Sequence, residues 1–437
     1  MKKIIAILLA GMMTATALVG CGGGSTSQAS GSSSSGSETS ATSSDLANGV
    51  ADVKDFGEED NITLKVWAPD AAVDETKKQI EAFKALYPDK TMTITVVAQG
   101  ENDAAAQMLN DPTAAADVFG FPSDQLDKLV TADVLAKCAY APEVKAANNE
   151  ESVKAGTLKD ELYCYPETTN GYYLVYDKSV VSDEQAKSFE DTLKACKDAN
   201  KTFVMDAGNG YYSCIFTFTG GVTIDGFEED GITQKFADYD EDKAVKTLSA
   251  FANLFKEYKG TFTSLSVDNV ASGFSSGECG AGVDGTWDTA SNQKALGDNF
   301  GAAQLPTINV DGEAVQMVSM FGYKYLGVNG SSKFPQSAQI LAYYLAGEEC
   351  QRQRATNLGW GPTNTVVSAE PVVTESQVLT AIEAQSKSAI TQVSVSSTFW
   401  DPMANLGNKL IADDCKPDDT DALKELLKTT IANVRDE

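Results

Sequence analysis

The sequence predicts an α/β protein of two lobes, and three observations carry that prediction. From Asn61 onward, short β-branched runs alternate with segments of helical periodicity, the order that builds a largely parallel sheet. A second set of the same kind begins at Tyr172. The length of 437 residues allows two domains of roughly 100–200 residues, and a hydrophobic content of 42% is enough to fill both cores.

The first set opens with the strand-like run Ile62-Thr63-Leu64-Lys65-Val66-Trp67, where Trp67 reads as packing. A helix near Val73 to Leu86 follows, because Ile80, Phe83 and Leu86 fall on one face and Tyr87-Pro88 stops the pattern. Met92 to Val97 reads as strand, Ala104 to Leu109 as helix, and Ala116 to Phe121 as strand again. The second set holds the strand Tyr172 to Tyr176, a helix near Ser188 to Asn200, and the strand Thr202 to Met205. Its amphipathic helix from Lys243 to Tyr258 places Val245, Leu248, Phe251, Leu254, Phe255 and Tyr258 on one stripe, the pattern of core residues. Ala281 to Trp287 reads as strand and turn, Ala338 to Gly347 as helix, and Ala422 to Val434 as the last helix. A chain that returns to both lobes is the simplest way to join these segments.

Ahead of the folded part, Met1-Lys2-Lys3 is a basic start and Ile4 to Ala10 a short apolar run, which together read as a signal peptide over residues 1–20. Leu18-Val19-Gly20-Cys21 resembles a lipobox, which implies that Cys21 carries lipid and becomes the new N-terminus. Residues 21–60 then form a tether: Gly and Ser dominate its first part, and such a composition buries too little apolar surface to offset its chain entropy. No later stretch is long and apolar enough to span a bilayer, so the expected membrane attachment is the lipid alone.

Composition excludes several functions. The chain has no histidine, so a Ser-His-Asp or Cys-His nucleophile and a His-ligated zinc site are ruled out. A formal charge of −28 opposes binding to a phosphate backbone, and nucleic acid is excluded as a partner. The acidity lies mainly in the folded part, because the leader carries no acid and the tether only a few. Of eight cysteines, setting Cys21 aside leaves an odd number, so at least one thiol is free. There is no CxxC pair, no GxGxxG after a strand and no GxxxxGK[ST], so neither redox chemistry nor a phosphate cradle is indicated, and no cofactor is expected.

Several strings converge on a known family. Ser276-Gly277-Glu278-Cys279-Gly280-Ala281-Gly282-Val283-Asp284-Gly285-Thr286-Trp287 resembles the small-G-x-x-A-h-x-x-x-G-x-W signature of extracellular solute-binding proteins that serve ABC importers. Phe300-Gly301 with Gln304-Leu305-Pro306, and Leu358-Gly359-Trp360-Gly361-Pro362-Thr363-Asn364, follow in the family's order. Within that class the chain is similar to maltose/maltodextrin-binding proteins. Asp117 to Asp124, the string Asn170-Gly171-Tyr172-Tyr173-Leu174-Val175-Tyr176-Asp177-Lys178, the triplet Tyr211-Tyr212-Ser213, and Ser397-Thr398-Phe399-Trp400 carry that likeness.

The resemblance implies a periplasmic-binding-protein-like fold of type II, doubly crossed, with a hinge and a cleft between the lobes. Lobe 1 would be 61–168 with 323–361, and lobe 2 would be 170–320 with 363–437. It further implies capture of an oligosaccharide by hinge closure, delivery to the transmembrane subunits of an ABC permease, a lipid anchor at Cys21 on the outer face of the membrane, and a monomer. A sugar ring needs flat aromatic platforms for its C–H faces and polar side chains for its hydroxyl rim. By motif position the expected platforms are Trp287, Trp400, Tyr211 and Phe121, with Asp124 and Asn170 on the rim and Trp360 a weaker candidate.

Each of these has a structural alternative. A tryptophan packs in a core, Tyr211 and Tyr212 cover a helix N-terminus, and Asp124 caps the helix that follows it. The chain also departs from the pattern: Asn170 stands where maltose binders carry a glutamate, and Asp401 and Ala404 replace an aromatic and an arginine. Two rival functions stay open. Tyr211-Tyr212 resembles the phenolate pair of ferric-iron binders of related fold, and paired carboxylates could cleave a glycosidic bond, although no pair stands out.

Overall fold

The computed structural model describes residues 54–436 except 232 and 268. The signal peptide, Cys21 and the tether up to residue 53 lie outside the described residues. Two sheets organise the rest. The first runs Ala389–Thr391, Ser319–Val328, Val118–Pro122, Ile62–Ala68, Met92–Ala98, with Cys164–Asn170 also paired to Ser319–Val328. Ile62–Ala68 is parallel to both its neighbours, whereas Ser319–Val328 runs antiparallel to Val118–Pro122 and to Cys164–Asn170. The second runs Phe262–Thr263, Thr202–Val204, Cys279–Gly285, Tyr172–Asp177, Phe300–Ala303. Both are mixed sheets, and the second is parallel on one side and antiparallel on the other.

The expected elements form where their residues dictate. The helix Val73–Ala85 buries Ile80 and Phe83 against the first sheet, and Tyr87 closes an aromatic cluster with Phe56 and Phe83. The helix Glu241–Glu257 buries its whole predicted stripe in the core of the second sheet. Asp240 caps it by accepting from the backbone N–H of Asp242 and Lys243. Trp67 is buried in the first sheet's core.

The chain passes between the sheets at Asn170-Gly171-Tyr172 and again around the strand Ser319–Val328. Three glycines stand along this seam: a Cβ on Gly171 would lie 3.0 Å from the Phe321 ring, one on Gly322 2.8 Å from both Ser123 Oγ and Gln392 Oε1, and one on Gly361 2.2 Å from Thr169 Oγ1. Strand Ala389–Thr391 pairs with Ser319–Phe321 at the edge of the first sheet. Among the described residues all seven cysteines are free thiols, and no helix is long and apolar enough to cross a membrane.

Two helices meet unusually closely on the second sheet's side. Gly210–Thr219 and Trp400–Ile411 approach until a Cβ on Gly210 would sit 2.2 Å from the Trp400 carbonyl oxygen. A Cβ on Gly407 would sit 2.0 Å from the Ala207 carbonyl oxygen. Backbone cannot yield as a side chain does, so Gly407→Ala is expected to cost about 1–3 kcal/mol of stability. Urea unfolding checks this, and an unchanged midpoint would show that the helices separate freely.

Candidate functional site

A cleft of about 680 Å³ opens between the two sheets, and its two sides differ in chemistry. Asp124, Asn170, Lys324, Glu101 and Gln392 line the side built by the first sheet, whereas Tyr211, Tyr212, Trp287 and Trp400 line the other. One side is polar and the other aromatic.

The aromatic side is set by local backbone. Asn209 caps the helix Gly210–Thr219 through Tyr211 N–H (3.0 Å), which places Tyr211 in the first turn at the cleft. Tyr172 Oη donates to the Tyr211 carbonyl (3.0 Å) and accepts from Met320 N–H (3.1 Å), tying that turn to the seam. The ring of Tyr211 neighbours both indoles, with centroids 6.2 Å from Trp287 and 6.4 Å from Trp400. Trp287 sits in a tight turn after Cys279–Gly285 with its indole folded back over Gly285, where a Cβ would come 2.1 Å from the ring. The Gly-x-Trp spacing of the sequence signature has this physical origin. Beneath it, buried Asp284 accepts from Gly285 N–H (2.7 Å) and Asn292 Nδ2 (2.5 Å), and Thr286 N–H donates to the Gly171 carbonyl (3.1 Å).

The polar side is a chain of hydrogen bonds. Asp124 accepts from Gln125 Nε2 (2.6 Å) and from Gln392 Nε2 (2.9 Å), and Asn170 Nδ2 donates to Gln392 Oε1 (3.0 Å). Ser123 Oγ donates to the Gln392 carbonyl (2.5 Å) and holds that residue's backbone. Burial pushes the Asp124 carboxyl above the usual carboxylate range, opposed by the bond from Gln125, the charge of Lys128 and the bond from Gln392. Lys324 pairs with Glu101 Oε2 (2.6 Å) and holds its ammonium 5.2 Å from the Trp287 ring and 5.7 Å from the Trp360 ring. Behind them, Arg354 pairs with Glu167 at 3.1 Å.

Five of the six residues expected to bind line this cleft: Trp287, Trp400, Tyr211, Asp124 and Asn170. Phe121 does not. It is fully buried in the first sheet's core, its ring tilted against Phe119 and Tyr325 with centroids at 5.6 and 5.7 Å. Every residue of Val118–Pro122 is buried, so the strand has no solvent face for an aromatic platform. Trp360 is also buried and meets the site only through Lys324. Asp124 does not cap the following helix; it sits within the turn Ser123–Gln125 and its carboxylate is spent on Gln125 and Gln392. Tyr211 and Tyr212 do occupy a helix N-terminus, but Asn209 makes the cap and both rings line the cleft. Burial pushes both tyrosine hydroxyls up, so they are present as neutral phenols. Sequence reasoning missed Gln392, Lys324 and Glu101, polar residues in no motif, and no periodic signal marks them.

The Asp124 carboxyl binds its proton more tightly folded than unfolded, where a carboxylate ionises near ~3.9. Its contribution to stability is therefore fully present below the unfolded value and is lost as pH rises through the folded one. Urea unfolding of wild type and Asp124→Asn from acid to neutral pH is expected to show the wild type losing stability relative to the variant over that interval. Parallel curves would mean that the carboxyl is not held above its ordinary range.

Residues 78–381 match the family described as bacterial extracellular solute-binding protein. The galactooligosaccharide-binding protein of Bacillus subtilis (strain 168) is 23% identical over 338 residues, covering 74% of this chain and 78% of that one. A structure solved with acarbose is 27% identical with a TM-score of 0.75, covering 87% of this chain and 99% of that one. The maltodextrin-binding protein of L. casei BL23, solved without ligand, is 24% identical with a TM-score of 0.72, covering 85% and 98%. These likenesses show the two-lobe fold expected from the sequence, and with most of its length matched the chain belongs to the bacterial extracellular solute-binding proteins.

Proposed function

We propose that the protein captures an oligosaccharide of the maltodextrin type in this cleft and delivers it to an ABC permease. The observation that carries the reading is the division of the cleft, aromatic on one side and hydrogen-bonding on the other. A sugar stacks its C–H faces on rings and spends its hydroxyls on polar atoms, so it uses both sides at once. Relatives whose names refer to galactooligosaccharide, maltodextrin and acarbose support the substrate class.

The mechanism is closure about the seam. Lobe 1 is taken as 61–168 with 323–361, and lobe 2 as 170–320 with 363–437, with Asn170, 319–322 and 389–392 moving with the first sheet to which they are bonded. A ligand that touches both favours the closed state by its differential contacts alone, and the closed surface is what the permease reads. No bond is broken and no cofactor is needed, so the protein acts as a binding protein and not as an enzyme. It works as a monomer on the outer face of the membrane, tethered through lipid on Cys21 after loss of residues 1–20.

Trp287→Ala and Trp400→Ala are each expected to weaken maltotriose binding about ten-fold, the scale of one lost stacking platform. Phe121→Leu, a core substitution, is expected to leave affinity within about two-fold while lowering stability by about 1 kcal/mol. Calorimetric titration with small-angle scattering decides the matter. Equal losses in all three variants would remove the assignment of platforms, and no compaction at saturating sugar would remove closure. Labelling cells with an alkyne fatty acid is expected to mark the wild type and not Cys21→Ala. Label retained in the variant would remove Cys21 as the anchor.

A further inference from the structure

The hydrogen bonds behind the cleft fix the direction in which two amides point. An ionised Asp124 only accepts, so Gln392 must turn its Nε2 toward Asp124 Oδ1, at 2.9 Å. That leaves Gln392 Oε1 to face Asn170, which must then present Nδ2, at 3.0 Å. The remaining Asn170 Oδ1 is buried and has no hydrogen-bond partner, on a residue that lines the cleft. Asn170 itself is 5% exposed and Gln392 4% exposed, so neither amide can turn its free end to bulk water. Gln392 is confined further, because Ser123 Oγ holds its carbonyl and Gly322 lies so close that a Cβ there would meet Gln392 Oε1 at 2.8 Å, while Asn170 is held in register opposite Gly322.

We propose that Gln392 is a positioning residue that transmits the charge of Asp124 to Asn170 and so makes the ligand-facing Asn170 Oδ1 an obligatory hydrogen-bond acceptor, selecting a sugar that offers a hydroxyl hydrogen at that point. The proposal rests on the sugar-binding reading and specifies it. A ligand group that only accepts would meet Oδ1 oxygen to oxygen and leave a buried acceptor unpaired. Rotating Asn170 to offer Nδ2 would set its oxygen against Gln392 Oε1, and rotating Gln392 in turn would set its oxygen against the Asp124 carboxylate. The preference is thus enforced by three residues, of which only Asn170 needs to touch the ligand. Protonation of Asp124 would release the relay, because a carboxylic acid can donate to Gln392 Oε1 and let both amides turn over. Among groups that act on Asp124 or line the same cleft, Lys128, Lys324, Glu101, Asp70 and Asp288 are the charged ones, and the Tyr211 hydroxyl faces it from the opposite side.

The test has a ligand-free arm and a ligand arm. In ¹⁵N-labelled wild type, the side-chain amide signals of Gln392 and Asn170 are expected to shift together in one titration step that is absent from Asp124→Asn. In the ligand arm, maltotrioses carrying a single fluorine in place of a hydroxyl keep the acceptor and lose the donor. One of them is expected to bind wild type about ten-fold more weakly than maltotriose, and to bind Gln392→Leu within about two-fold of it. Amide signals that ignore the Asp124 step would overturn the relay whatever the sugar does. Discrimination that survives in Gln392→Leu, or is missing from wild type, would overturn it as well. Failure of wild type to bind any sugar would instead sink the sugar reading, and the amide titration would still judge the relay.

Discussion

Close packing of side chains onto glycine backbone at the seam is the constraint on which the site depends. Gly171, Gly322 and Gly361 stand where the chain crosses or borders the two sheets, and a methyl group would crowd the neighbours of Gly171 and clash with those of Gly322 and Gly361. Thr169 N–H and Thr168 Oγ1 both donate to the Gly361 carbonyl at 2.8 Å, so the two crossing segments are bonded as well as packed. Because side chains pack directly on these glycines, the polar residues that flank them are delivered to the cleft beside a crowded seam. Asn170 precedes Gly171, Lys324 follows Gly322 by two, and Gln392 packs directly on Gly322.

That arrangement also explains the buried charges behind the cleft. A carboxylate or guanidinium removed from water is tolerated only with a partner close by. Glu167 finds Arg354 at 3.1 Å, and Arg354 Nη1 donates further to the Leu345 carbonyl at 2.8 Å. Even so, burial pushes the Glu167 carboxyl up; Arg354 opposes this, Glu101 adds to it, and Lys324 opposes it. Glu167 and Glu101 thus feel each other through the protein, and Lys324 sits where it offsets both. The ammonium beside two indoles is the visible result of that charge balance.

What the sequence could reveal follows from what leaves a pattern. The helix Glu241–Glu257 packs one stripe on the core, and that stripe is readable because the opposite face is polar. The helix Gly210–Thr219 is buried nearly all round, so no period distinguishes its faces, and only its tyrosine doublet draws notice. The strand Val118–Pro122 is buried on both faces, and alternation cannot tell which side Phe121 takes; motif position put it in the cleft and packing put it in the core. Trp287 was legible because its turn needs Gly285 beneath the indole, a local requirement written in adjacent residues. Gln392 was not, because its role depends on Asp124 and Asn170, which lie 268 and 222 residues away in the chain.

The two-sided cleft also bounds the energy available for closure. Moving a two-state equilibrium from 1:99 to 99:1 takes about 5.5 kcal/mol of differential affinity. A stacking platform contributes about 0.5–1.5 kcal/mol beyond the area it covers, and a hydrogen bond to a charged group about 1.5–3 kcal/mol. Trp287, Trp400 and Tyr211 on one side with Glu101 and Asn170 on the other reach that scale only if a single ligand engages both sides, because either side alone falls short of it. A ligand held by the aromatic side alone would bind without closing the protein. Selectivity and closure therefore have one origin, a ligand long enough to stack on the rings while its hydroxyls reach the oxygens that the first sheet leaves without partners, Glu101 Oε1 and Asn170 Oδ1.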